Sequence, residues 1–187
     1  MRRTLLALTA VLAVLAVLTV AVLVVVETSP PWYERLRYPL HYGTIVRAHA
    51  HHYDLDPALL AAVIYQESKF NADARSSSGA IGLMQLTPTT AHGIAIRTGG
   101  AAFRTSDLTD PEINIRYGAW YLRDLFRKYG NEVLALAAYN AGQGNVDAWR
   151  AAGEGIQFPE TRAYVRRVEH LQRVYRSAWH STLYPSS

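Results

Sequence analysis

The chain contains no cysteine. That excludes a disulfide framework, a thiolate metal site and lipid attachment at a cysteine. No stretch shows the period-two alternation of a half-buried strand, so no sheet is expected. Neither sign of charge dominates. Lys and Arg number 19 against 15 Asp and Glu, and setting aside Arg2 and Arg3 leaves 17 against 15. A surplus of two names no partner, and nucleic acid is not among those expected. Only the final helical stretch is locally basic, with Arg162, Arg166, Arg167, Arg173 and Arg176 against Glu160 and Glu169. Such a stripe could meet anionic lipid or anionic wall polymer, although a solvated helix face explains it as well.

The 187 residues leave room for one ordinary domain and an appendage. From Leu5 to Val26 the chain runs 22 residues without a charge, and about 20 such residues span the hydrocarbon of a bilayer as a helix. Arg2 and Arg3 before it favour a cytoplasmic N-terminus and an exported remainder, with Arg35 and Arg37 beyond diluting that argument. The alternative is a cleaved signal peptide with Thr19-Val20-Ala21 as a poor cleavage site. The run exceeds the roughly 7–15 apolar residues of a signal core, so an uncleaved single span is the preferred expectation. The expected organisation is a membrane anchor over 1–27, a juxtamembrane linker over 28–42, an all-α domain over 43–180 and a tail over 181–187. Trp32 and Tyr33 in the linker suit the aromatic belt of a membrane interface.

Beyond the linker, residues 43–53 read as a helix carrying His49, His51 and His52. No carboxylate completes a metal-binding spacing there, so the histidines are expected at the surface and no metal site or cofactor is expected. Asp56 is a good N-cap and Pro57 fits a first helical turn, which predicts a helix to about Ser68. Thr87-Pro88 and Asp110-Pro111 repeat that signal, the first opening a helix to about Ile94, the second the longest helix, ending at Gly130. Ile113, Tyr117, Trp120, Tyr121, Leu125 and Tyr129 are its expected inward face, and residues 97–109 look like an irregular excursion. An alanine-rich helix follows over 132–141, then a short turn over 146–150. A last helix runs from Pro159 to about Trp179, with Tyr164, Val165, Val168, Leu171 and Tyr175 inward.

Glu67 stands out in this scheme. Leu60, Val63, Ile64 and Glu67 fall at i, i+3, i+4 and i+7, which places a carboxyl on the stripe that seeks the core. Withdrawal from water disfavours the charged form, so its pKa should rise toward the range in which a general acid holds a proton at neutral pH. A glutamate at a helix end is also common as an ordinary solvated residue. Asp73, Asp107 and Asp110 are the nearest candidates for a second acid, Asp73 suiting a turn and Asp110 a cap.

Four stretches, in order, carry a resemblance: Gln66-Glu67-Ser68, Gly79-Ala80-Ile81-Gly82-Leu83-Met84-Gln85-Leu86, Ala138-Tyr139-Asn140-Ala141-Gly142, and Pro159-Glu160-Thr161-Arg162-Ala163-Tyr164-Val165. With them the part from about Ile45 to Tyr175 resembles the lytic transglycosylases of the soluble type, whose catalytic domain shares the goose-type lysozyme fold. The resemblance implies cleavage of the β-1,4 bond between N-acetylmuramic acid and N-acetylglucosamine in peptidoglycan glycan strands, leaving a 1,6-anhydromuramic end. It implies Glu67 as sole catalytic acid and then base. It also implies Ser76 and Gln85 at the sugar subsites, Met84 under a sugar ring, Tyr139 donating to the Glu67 carboxyl, Asn140 shaping the cleft and Tyr164 reaching the sugar. Ser68, Gly79, Gly82 and Glu160 would support the site, with Glu160 capping its helix or bracing the cleft and Arg162 buttressing the loop. Plain core explains Met84 and Tyr139 equally well, and a tight turn explains the glycines. The expected location is a bacterial cell membrane, single-pass with the domain outside, or secretion after signal cleavage. A lysozyme-type hydrolase and a non-catalytic wall-binding scaffold remain alternatives.

Overall fold

The computed structural model describes residues 2–185, with side chains described for Arg2 and from Leu12 onward. Every regular element is helical, and among the described residues pairing is limited to isolated bridges, Arg75 with Ile81 and Ile81 with Leu86. The chain divides into two compact units, Met1–Pro39 and Leu40–Ser187.

In the first unit, α1 (Arg2–Thr28) is followed by α2 (Pro31–Arg37). The juxtamembrane linker expected over 28–42 thus contains a helix after the break at Ser29 and Pro30, opened by Pro31 at a first turn where a missing N–H costs nothing. The first part of the expected apolar span, 5–11, lies outside the described side chains. Among the described residues no single helix is long and apolar enough to cross a membrane. Leu12–Thr28 and Pro31–Arg37 meet that requirement only together, bent by 84° at the break.

The second unit is built around α4. It follows α3 (Gly43–His52), runs from Pro57 to Ser68, and is capped by Asp56, whose Oδ1 accepts from Ala58 N at 3.0 Å. Ala58 to Ile64 are buried without a break, so the helix is enclosed on all sides rather than half-exposed. Burying Leu59, Leu60, Val63 and Ile64 stabilises the fold by about 2 kcal/mol each. α4 packs along α9 (Pro159–Ala178); α7 (Glu132–Ala141) lies against both α9 and α6 (Pro111–Tyr129).

α5 (Pro88–Thr98), capped by the Thr87 side chain, and a 3-10 turn at Thr105–Thr109 give order to the expected excursion. They form a second cluster of Ile81, Leu86, Ala91, Ile94, Leu108 and Tyr117 against α6. Ile113, Trp120 and Tyr121, expected inward on α6, are only half-buried at its edge. The expected turn after Gly142 is a full helix, α8 (Gln143–Ala151).

Two sequence expectations need correction. His49 is not a surface residue. Its side chain is 12% exposed, bonded to Glu112 at 2.6 Å and stacked beside Tyr53. The supposed tail contains α10 (His180–Leu183), whose Leu183 is buried, and Tyr184 donates its hydroxyl to Asp56.

Candidate active site

α4 ends in two successive left-handed residues, Lys69 (φ 52°) and Phe70 (φ 64°). Each costs about 1 kcal/mol for a residue with a Cβ. Phe70 offsets this by burial, by a tilted ring contact with Tyr65 and by an edge contact with Tyr175. The sharp exit leaves Glu67 in the last turn, beside the chain that returns as the Gly79–Leu86 loop. Ser68 joins the two, its Oγ donating to Leu83 O at 2.8 Å.

That loop is held from three directions. Ile81 and Leu86 exchange backbone hydrogen bonds of 2.9 and 3.1 Å, and Gly82 N donates to Ala74 O at 2.9 Å. Asn114, fully buried on α6, accepts from Met84 N at 2.7 Å and donates to Ile81 O and Leu108 O at 3.0 and 2.7 Å. Gly82 has φ +82°, and a Cβ there would lie 2.2 Å from Leu108 O and from the Asn114 amide nitrogen. Glycine is therefore required by conformation and by space. Sequence reasoning missed Asn114. The available signal was an amide between Ile113 and Tyr117 on a helix predicted to face inward.

The expected residues divide on inspection. Glu67 is half-buried and accepts from the Tyr164 hydroxyl at 2.7 Å. Tyr139 is not that donor, contrary to expectation. Its hydroxyl donates to Met84 O at 2.8 Å and so braces the loop. Burial, followed by the nearby Glu67 charge, pushes both tyrosines well above the usual phenol range, so both are neutral donors. Met84 has no exposed face to place under a sugar ring. It is fully buried, and a Cβ on Gly118 would sit 2.2 Å from its sulfur, so the absence of a side chain on α6 is what admits it.

Ser76 Oγ meets Ser78 Oγ at 2.8 Å and accepts from Ala80 N at 3.0 Å, closing the turn at Gly79. Gln85 adopts φ +47° and donates its amide N–H to Gly82 O and Ala74 O at 2.9 and 3.2 Å. Its amide oxygen makes no bond within the loop. Asn140 is exposed and accepts from the buried Thr161 hydroxyl at 2.8 Å, joining α7 to α9. Glu160 stands exposed in the first turn of α9, and Arg162 donates to Gln157 O at 2.9 Å.

Burial lifts the Glu67 carboxyl to about 7, against the smaller opposing effect of the Tyr164 hydrogen bond. No second carboxylate perturbs it. Asp110 is occupied in capping α6 through Glu112 N and Ile113 N, and Asp107 accepts from Arg104 N. Asp73 donates its own N–H to the Asn71 side chain, so Asn71 forms the Asx turn.

A helical domain with one elevated carboxyl at the end of its central helix, faced by a glycine-bearing loop, defines a lysozyme-like scaffold. The family model Transglycosylase SLT domain matches residues 44–157, and the chain belongs to that family. It is 35% identical over 152 residues to the soluble lytic murein transglycosylase of Escherichia coli (strain K12), covering 75% of this chain and 24% of that protein. It is 34% identical over 138 residues to membrane-bound lytic murein transglycosylase F of Shewanella denitrificans, covering 63% of this chain and 26% of that one. Among solved structures, an inactive mutant of lytic transglycosylase Slt from Pseudomonas aeruginosa superposes with a TM-score of 0.73 at 35% identity, over 79% of this chain and 26% of that chain. A complex of the 70 kDa soluble lytic transglycosylase with bulgecin A gives 0.72 at 33% identity, over 77% and 25%. The chain thus spans about a quarter of the length of these relatives.

Proposed function

We propose that the chain is a peptidoglycan lytic transglycosylase in which Glu67 alone serves as acid and then base. The observation that carries this reading is the Glu67 carboxyl, raised to about 7 with no carboxylate neighbour. A proton held there at neutral pH can pass to the glycosidic oxygen as the bond to the muramic anomeric carbon breaks. A glycosidase with two carboxylates uses the second as nucleophile or as base for water. In its place the sugar's own 2-acetamido oxygen or 6-hydroxyl closes on the anomeric carbon. Glu67, now ionised, then takes the proton of the 6-hydroxyl, and the product is the 1,6-anhydro ring with no water added.

In this reading the free amide oxygen of Gln85, the Ser76 turn and Asn140 line the sugar subsites. Tyr164 holds the Glu67 carboxyl in place, while Ser68, Gly79, Gly82 and Tyr139 fix the loop opposite. Met84 supports the loop from beneath. Mass spectrometry of products from purified peptidoglycan tests the reaction: anhydromuropeptides are expected. Reducing ends, heavier by one water, would assign the site to hydrolysis, and no release at all would assign it to binding alone.

The N-terminal segment is proposed to anchor the catalytic unit outside a bacterial membrane. The support is the 22-residue uncharged run after Arg2 and Arg3, together with the 27-residue length of α1. Retention in the membrane pellet after alkaline extraction is expected, with the N-terminus intact by mass. A soluble protein shortened near Ala21 would instead establish a cleaved signal.

A further inference from the structure

The outer surface of α6 carries an arrangement that the Glu67 site does not use. Arg116, Trp120, Arg123 and Arg127 fall at i, i+4, i+7 and i+11 and so form one stripe. Along it lie three depressions of about 260, 210 and 420 Å³. Tyr53 and Trp120 line the first two, and Gly99, Gly100, Arg116 and Tyr117 line the first and third. Shared walls make these one elongated trough, a shape that fits a linear oligomer better than a compact ligand.

The polar groups along the trough are partly unspent. Arg97 stacks on Trp120 at 4.5 Å while forked on Asp124 at 3.0 Å, and Arg123 pairs with Asp54 at 2.9 Å, so those charges are balanced. Arg116 and Arg127 are exposed and have no carboxylate partner among the described residues. The Tyr53 hydroxyl and the Trp120 indole N–H belong to half-buried rings, yet no hydrogen bond to either is made among the described residues. With Arg97 over the Trp120 ring and His49 and His52 against Tyr53, what these aromatics offer is their free donors, and two such donors flanked by two uncompensated guanidiniums suit a sugar chain that carries carboxylates. No residue of the trough belongs to the Glu67 loop, α7 or α9.

We infer that this trough is a second binding site for the peptide-bearing glycan strand, with sugar hydroxyls on the Tyr53 hydroxyl and the Trp120 indole N–H and stem-peptide carboxylates on Arg116 and Arg127. The inference rests on the glycan-cleaving reading of the Glu67 site and extends it, giving the polymer a hold on the protein outside the cleft. A strand held there stays near the enzyme between cleavages, which favours polymeric over short substrate.

The full chain in detergent carrying Glu67→Gln, alone and with Arg116→Gln and Arg127→Gln, should be titrated with uncross-linked glycan strands bearing peptide stems. The two guanidinium replacements are expected to weaken binding of long strands about five- to tenfold and to flatten its dependence on salt. In the chain that keeps Glu67 they should leave turnover of a tetrasaccharide unchanged. Trp120 contributes to packing, so Trp120→Phe keeps a ring while removing the N–H and assigning its resonance, which strand addition should shift. Unchanged affinity, an unmoved Trp120 signal, tighter binding of a phosphate polymer, or self-association abolished by the arginine variants would each overturn the inference. Failure of the parent chain to release anhydro product indicts the catalytic reading; normal product release with unchanged strand binding indicts the trough.

Discussion

The two ends of α4 treat a carboxyl group in opposite ways. Asp56 begins the helix, where the positive end of the helix dipole favours an anion, and Glu67 stands in its last turn, where the dipole opposes one. Burial acts to raise both. At Asp56 it is outweighed by donors from Tyr184, Gln172, Arg176 and Ala58 N, and the group is held below the ordinary carboxylate range. At Glu67 only the Tyr164 hydroxyl opposes burial, and the group rises to about 7. One carboxyl is a permanent anion that fastens the C-terminal segment to the helix. The other is poised to exchange a proton. What separates them is the number of donors set against burial, together with the deeper burial of Glu67, and not the residue type.

Removing each carboxyl should therefore break different properties. Glu67→Gln is expected to reduce release of anhydromuropeptides on the order of a thousandfold, as loss of a positioned acid does, with the circular dichroism spectrum unchanged. Turnover comparable to the parent chain would refute the assignment. Asp56→Ala removes the cap of α4 and leaves Arg176 and the Tyr184 hydroxyl without their anion, so a stability loss of about 3 kcal/mol is expected in urea titration. The pH dependence of the surviving activity should not move.

The same contrast sets the response of stability to pH. The folded pKa of Glu67 lies above its unfolded value, so its penalty is absent below about 4.5 and develops as pH rises to about 7. The whole change amounts to up to about 3 kcal/mol. Asp56 acts in the other direction, stabilising above its unfolded pKa and losing that contribution as pH falls through its lowered folded value. Thermal melts from pH 4.5 to 7.5 should show declining stability in the parent chain and a flatter profile in Glu67→Gln, which gains stability near neutrality. An equal slope in both would place the decline elsewhere. Smallest in effect, Tyr164→Phe removes the one group that lowers the Glu67 pKa, so the alkaline limb of the rate profile should shift upward by a fraction of a pH unit. A downward shift would show that the hydroxyl does not favour the ionised form.

Much of this contrast was legible in the residues. Asp56-Pro57, Thr87-Pro88 and Asp110-Pro111 opened their helices as cap and first-turn chemistry requires, and Glu67 came at the core-facing spacing of its helix. The partners were less legible because they depend on how distant helices pack. Both Tyr139 and Tyr164 point inward, but α7 brings one hydroxyl to Met84 O while α9 brings the other to Glu67, 97 positions away. The C-terminal segment concealed its role in the same way. Its polar composition reads as a tail, yet Leu183 is buried and Tyr184 reaches across 128 positions to Asp56. Met84 was misplaced because its burial depends on the missing side chain of Gly118 on another helix.

The central claim is that Glu67 holds a proton near neutral pH without help from a second carboxylate. Carbon-13 NMR of the full chain with labelled glutamate side chains, assigned by the signal lost in Glu67→Gln, measures this directly. One carboxyl titrating as a single step with a midpoint near 7 is the predicted result. A midpoint at the ordinary value of about 4.5, or two coupled steps shared with another acid, would contradict it.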